Sequence, residues 1–260
     1  MQVLAVLAGI FATVADFGSA DTRTERAKAL AEEITDLRTV AAMYDTLAMT
    51  REAQGDLESA LAYAQRGPAA HEQVADFEAI GSSWNTIGWV YLQRQQFARA
   101  CEALDRAERI ASEHGAGRLQ AYVLQTRAEV ALAQADAALA LTFAGASASH
   151  PQASARCRAL SLLVRARALA ATKASDAEID HAYQSAFEAL KNQGRSQLAR
   201  AYEYYSDSLS ERDREHDALL AARKAMDPAR PRLPWAATKA PDAEFDRDYR
   251  ARSIQMPLTP

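Results

Sequence analysis

Cysteine is nearly missing from this chain: Cys101 and Cys157 are the only two, and no paired motif surrounds either. That excludes a disulfide-knit scaffold and leaves two buried free thiols in a reducing compartment as the expectation. Aromatic residues make up only 7%, and β-branched residues are sparse, which argues against sheets. Proline is absent from long stretches, with only Pro68 and Pro151 before residue 227. Charge of one sign does not dominate either. The net charge of −4 gives no electrostatic reason to expect nucleic acid, whose binding depends on neutralising phosphates. The best local basic patch, Arg156, Arg158, Arg165 and Arg167, reads as a solvated helix face.

A bilayer-spanning apolar run is lacking as well. Residues 3–15, VLAVLAGIFATVA, are too short to cross a membrane. They resemble a signal-peptide core, with Gly18-Ser19-Ala20 as a small-residue cleavage site, yet no Lys or Arg precedes them. The other reading makes them the first helix of a repeat, with Asp16 to Ser19 as its turn. That reading is preferred, and with it a cytoplasmic protein without a membrane partner.

What is present is alanine, about a quarter of all residues, within a 49% apolar and 25% charged chain. Alanine has the lowest intrinsic cost in a helix, and its small side chain lets helices approach closely. An all-α fold follows. Its organisation is a repeat: Tyr44, Trp84 and Leu124 stand 40 residues apart and open the same pattern. Trp84, Ile87, Gly88, Tyr91, Ala100, Leu104 and Ala107 form the clearest copy. Tyr44, Leu47, Ala48, Ala60 and Ala64 match it on one side, and Leu124, Ala128, Ala131, Ala140 and Ala144 on the other. A fixed period of this size marks stacked helical units, none of which can bury its apolar face alone.

Each copy divides into two amphipathic helices around a polar turn: Gln54-Gly55-Asp56, Arg94-Gln95-Gln96, and Ala135-Asp136. Gly suits the end of a helix, and Asp the start of the next. Looser copies extend the array to about six helix pairs within residues 1–226. His150-Pro151 reads as the end of one helix and the first turn of another, and Asp227-Pro228 as the final stop. Six of the eight prolines follow residue 227. Residues 227–260 therefore read as an extended or disordered tail, with a helical turn around 243–249 and Trp235 as a residue that could pin it to the array.

The run Trp84-x2-Ile87-Gly88-x2-Tyr91, followed by Ala100, Leu104 and Ala107, resembles the tetratricopeptide repeat. The resemblance covers roughly residues 8–226. It departs from the usual period of about 34 residues, and the extra length falls in Gly67 to Ile80 and Glu113 to Gln120. In this it looks like the longer repeats of bacterial transcription-activator sensor domains. The resemblance implies a right-handed α–α superhelix whose first helices line a concave groove for peptides or extended protein segments. Small residues at Gly88 and Ala100 would sit where paired helices cross. The groove positions fall on Asp45, Met49, Asn85, Trp89, Tyr122, Gln125, Glu129, Arg167, Arg200 and Glu203, with Glu52, Ser82, Gln93 and Asp207 beside them. Asn85 is the most informative, because one amide can pair with both groups of a peptide bond, and Trp89 could stack a ligand side chain. The subgroup that binds chaperone tails carries Lys and Asn where Asp45 and Met49 stand, so that partner class is not expected.

Catalytic chemistry finds no support. The five histidines, His71, His114, His150, His181 and His216, lack metal-ligand spacing and read as loop or surface residues. Gly115-Ala116-Gly117 lacks the following Gly-Lys-Ser/Thr of a phosphate loop. No serine sits in a nucleophile elbow. The expectation is a non-enzymatic module without cofactor or metal that binds a protein or peptide, in bacterial signalling or transcriptional regulation. The alternative is an assembly scaffold that forms a homodimer or docks on a larger complex.

Overall fold

The computed structural model describes Thr22, Arg26, and residues 37–193 and 195–226; residues 3–15, expected as a helix, and the 227–260 tail lie outside them. The described residues are all-α, with eleven helices. They are α1 (Leu37–Ala53), α2 (Leu57–Ala64), α3 (Arg66–Glu72), α4 (Phe77–Gln93), α5 (Phe97–Glu113), α6 (Gly117–Ala133), α7 (Ala137–Ser149), α8 (Ala155–Ala171), α9 (Asp176–Leu190), α10 (Arg195–Ser210) and α11 (Glu215–Ala225). They pack as neighbouring pairs: α1 with α2, α4 with α5, α6 with α7, α8 with α9, and α10 with α11.

One turn closes most of these helices. Gly55, Ala75, Gln95, Gly115 and Ala135, every twentieth residue, have positive φ, and so do Lys173 and Asp213. At each, the following N–H reaches back to a carbonyl one turn inside the helix, as in Asp56 N–H to Arg51 O at 2.9 Å and Gln96 N–H to Tyr91 O at 2.9 Å. This double closure satisfies carbonyls that the helix end leaves open. The next residue then caps the following helix where it is Asp: Asp56, Asp76 and Asp136 each accept from a backbone N–H of the first turn.

The extra length of the repeat is thus mainly helix rather than loop. α1, α4, α5, α6 and α8 each span 17 residues. Residues 67–80, where the extra length falls, hold most of α3 and the start of α4. Pro68 explains the break before α3, since it has no N–H to give the carbonyl of Ala64. His150 ends α7 as expected, being its C-cap, but Pro151 lies in a turn rather than in a first helical turn, and α8 begins only after its N-cap Ser154.

The first helix of a pair lies between neighbours on several sides, and the second lies on one. Hence α6 buries Leu119, Ala121, Val123, Gln125, Thr126, Ala128, Val130 and Ala131, most of its circumference. In contrast, α5 buries only the stripe Ala100, Ala103, Leu104, Ala107 and Ala111. The expected crossing of small residues is present: a Cβ on Gly88 would stand 2.9 Å from Leu104 Cδ2 and 3.3 Å from the Ala100 carbonyl. The core is a series of local clusters. The largest joins Leu163 of α8, Ile179, Tyr183, Phe187 and Leu190 of α9, and Ala201 of α10. Cys101 and Cys157 are free. Burial pushes the Cys157 thiol up, against the smaller effect of hydrogen bonds with Ser147 and Ser161, so it stays protonated and inert.

Asp180 of α9 ties the α10–α11 turn in place, accepting from Arg214 Nη1 at 2.6 Å and Arg212 Nη2 at 3.0 Å. Burial alone would raise its pKa, but the two guanidiniums outweigh it and hold the carboxyl below its ordinary range. A depressed folded-state pKa gives stability that is present at neutral pH and is lost as pH falls below about 4, the unfolded value, toward the lower folded one. Asp180→Asn is therefore expected to destabilise the protein at pH 7 and to flatten the acid limb of its stability profile, measured by urea unfolding between pH 7 and 3. An unchanged acid limb would show that this network does not control it. At the turns, Gln95→Gly relieves a side chain held at φ 58° and is expected to stabilise by about 0.5–1 kcal/mol, while Gly55→Ala costs about as much. The readout is the urea midpoint at constant slope.

Candidate functional site

Every groove residue named from the sequence falls on a first helix: Asp45 and Met49 on α1, Asn85 and Trp89 on α4, Tyr122, Gln125 and Glu129 on α6, Arg167 on α8, and Arg200 and Glu203 on α10. Consecutive first helices touch one another, α1 to α4, α4 to α6, α6 to α8 and α8 to α10. The named residues therefore share one face of the array.

Along that face the side chains are stitched from one pair to the next. Ser83 Oγ donates to Asp45 Oδ1 at 2.7 Å, and Trp89 Nε1 donates to Glu52 Oε1 at 3.1 Å. Arg167 Nη1 donates to Glu129 Oε2 at 2.7 Å, with its guanidinium 4.1 Å from the Tyr204 ring centre. Burial acts to lower the Arg167 pKa, but Glu129 and its surroundings hold it above the ordinary value. Arg200 Nε donates to the Tyr204 hydroxyl at 2.8 Å. The Tyr122 hydroxyl meets Ser154 Oγ at 2.8 Å, so it supports the N-cap of α8. The spacings of 38, 37 and 38 residues in the first three carboxylate contacts are close to one repeat.

Individual residues differ in what they offer. Met49 is 55% exposed, whereas Gln125 is 5% exposed and enclosed by its neighbours. Glu203 has interactions within the protein. Both oxygens of Asp45 are engaged, the second by His71 Nε2 at 2.8 Å. His71 corrects the reading of the five histidines as loop or surface residues: it lies on α3 and is 4% exposed. Gly67 stands against this cluster, where a Cβ would come within 2.7 Å of Ser83 Oγ and 2.8 Å of Asp45 Oδ1. Two shielded polar atoms of this face have no hydrogen-bond partner, His71 Nδ1 and Asn85 Oδ1, and Asn85 makes no other side-chain hydrogen bond along the row. Asn85 is half-buried.

Sequence reasoning missed His71, Ser83 and Tyr204 as members of this face. Ser83 carried a signal, being a hydroxyl one repeat from Asp45. His71 carried none, because its burial depends on the break at Pro68. Of the four arginines read as a solvated face of α8, Arg156, Arg158 and Arg165 are exposed, and Arg167 turns onto the row. Two open clefts lie apart from the row, and none of the ten named residues lines either. One of about 480 Å³ is lined by Phe77, His114 and Arg118 at the starts of α4 and α6. The other, about 470 Å³, is lined by Trp84, Ile87 and Tyr91 of α4 and by Arg99 and Arg106 of α5. Trp84, which opens the clearest repeat copy, packs into two core clusters but is half-buried. Among the described residues no group of His, Cys, Asp and Glu could hold a metal ion, and no helix is long and apolar enough to cross a membrane.

No protein-family model matches the chain, and no curated protein matches it. The crystal structure of BtubC (BKLC) from P. vanneervenii is similar at 13% sequence identity and a TM-score of 0.47, covering 99% of this chain and 82% of that one.

Removing the Asp45 carboxylate would leave Ser83 and the buried His71 without their shared acceptor. Asp45→Ala is expected to destabilise the protein by about 1–3 kcal/mol, and Met49→Ala by under about 0.5 kcal/mol. Urea unfolding compares them; equal effects would show that the Asp45 cluster does not hold α1, α3 and α4 together.

Proposed function

We propose that the protein is a non-enzymatic binding module of the tetratricopeptide class, and that its first helices form a concave groove holding an extended peptide or protein segment. The observation that carries this reading is the buried, unpartnered Oδ1 of Asn85 on a face whose other polar groups are largely paired. An unsatisfied buried amide oxygen costs about 1–3 kcal/mol, and a backbone N–H of a ligand would recover it. Trp89 lies one turn away, its indole N–H fixed on Glu52 and its ring half-exposed. Exposed Met49 and the fixed guanidinium of Arg200 extend the same face toward its two ends.

An assembly role is the second reading, favoured by Leu219 at 37%, Leu220 at 46% and Met226 at 61% exposure around the last described helix. A protein that sediments as a monomer at every concentration tried would remove self-association.

Selection of displayed random 12-residue peptides on the full chain, followed by fluorescence anisotropy, tests the groove. Asn85→Ala is expected to weaken the selected peptides about tenfold, the equivalent of 1.4 kcal/mol. Binding with the same affinity by both proteins would place the ligand elsewhere.

A further inference from the structure

The cleft of about 470 Å³ between α3 and α5 is a second surface, independent of the Asn85 groove. Ile87 and Ala103, 2% and 3% exposed, lie at its base. Trp84 and Tyr91 flank that base on α4, seven residues apart and hence on one helix face. Arg106 and Arg99 repeat the spacing on α5. Their guanidiniums stand 4.4 Å from the Trp84 ring centre and 5.9 Å from that of Tyr91. The result is two parallel rungs of cation on ring with an apolar socket between them. The same pairing occurs one repeat earlier, where Arg66 lies 5.7 Å from the Tyr44 ring centre.

These two cations differ from four arginines that tie helices together through ion pairs. Arg127, Arg167, Arg212 and Arg214 all meet carboxylates. Arg99 is bonded only to Gln96, at 3.5 Å, and Arg106 rests on its ring. Ring stacking orients a guanidinium without neutralising it, so both keep their planar forks open to an anion. Seven residues of helix place the two about 10 Å apart along α5. A chain in the extended polyproline II form rises about 3.1 Å per residue and turns once in three residues, so carboxylates three residues apart lie on one side about 9 Å apart, close to that distance. Glu102 on α5 and Glu72 on the facing wall leave the rim neutral in sum, which disfavours a simple polyanion and leaves acceptors for backbone N–H groups.

We propose that this cleft docks an extended peptide segment carrying two acidic residues three positions apart, with a bulky apolar side chain between them seated on Ile87 and Ala103. The acids meet Arg99 and Arg106, and the neutral rim selects for their spacing rather than for net charge.

The test is a 12-residue random peptide selection on full-length Asn85→Ala protein, so that the proposed groove is weakened and the cleft is read by itself. Recovered peptides are expected to share the acidic pair around an apolar residue. Adding Arg99→Gln and Arg106→Gln should weaken them at least tenfold by fluorescence anisotropy, with the circular dichroism spectrum and melting curve retained. A recovered set without that spacing overturns the proposal, as does an unchanged affinity in the arginine variants or a failure to recover any peptide. Sedimentation provides a further check: a dimer that the arginine substitutions dissociate would mean that a second copy occupies the cleft, and the proposal falls. Peptides recovered only by protein with Asn85 intact would leave the groove reading standing while the cleft fails.

Discussion

Each helix along much of this chain ends on one residue in the left-handed region, and from Gly55 to Ala135 that residue recurs every twentieth position. The constraint is geometric. A helix that ends in this closure sends the chain back at a set angle, and equal helix lengths repeat that angle at an equal distance. Consecutive first helices therefore meet in nearly the same register each time. The contacts along their shared face, Ser83 with Asp45, Trp89 with Glu52, and Arg167 with Glu129, follow from that register.

Packing then works through small residues and short range. A helix pair closes where Gly88 meets Leu104 and the Ala100 carbonyl, a gap that no larger side chain at residue 88 would fit without displacing its neighbour. Buried clusters join adjacent helices and hand over to the next cluster. A stack of this kind has no central core, and each unit depends on the next for the burial of its apolar face. Several polar groups at the joints are satisfied locally: Ser147 donates to the Ala121 carbonyl at 2.8 Å, and Ser161 donates to Ser147 at 2.8 Å. Short hydroxyls of this kind let helices approach without leaving orphaned buried groups.

Much of this was legible in advance because helical pairing obeys a local code. The alanine content, the period, the turns at Gly55, Gln95 and Ala135, and the small residues at Gly88 and Ala100 are all read within a few residues of where they act. The sequence also placed the ten candidate residues on first helices, since positions three and four apart share a face. It was less informative wherever a side chain's fate depended on a partner one repeat away. Gln125 looked like a lining residue and is enclosed, because α6 packs against both α4 and α8. His71 looked exposed, and Pro68 instead starts a short helix that turns it onto Asp45.

The sequence by itself determined the all-α class, the period and the helix faces, since propensity, turn closure and amphipathic spacing act over one or two turns of chain. Only the tertiary structure decided which polar residues of those faces are consumed in holding the array and which remain available. Asp45 is bonded on both oxygens, Asn85 keeps a bare one, and Arg99 and Arg106 lie on rings rather than on acids. Those outcomes depend on distances between atoms about a repeat or a helix apart, and such distances exist only once neighbouring pairs have packed.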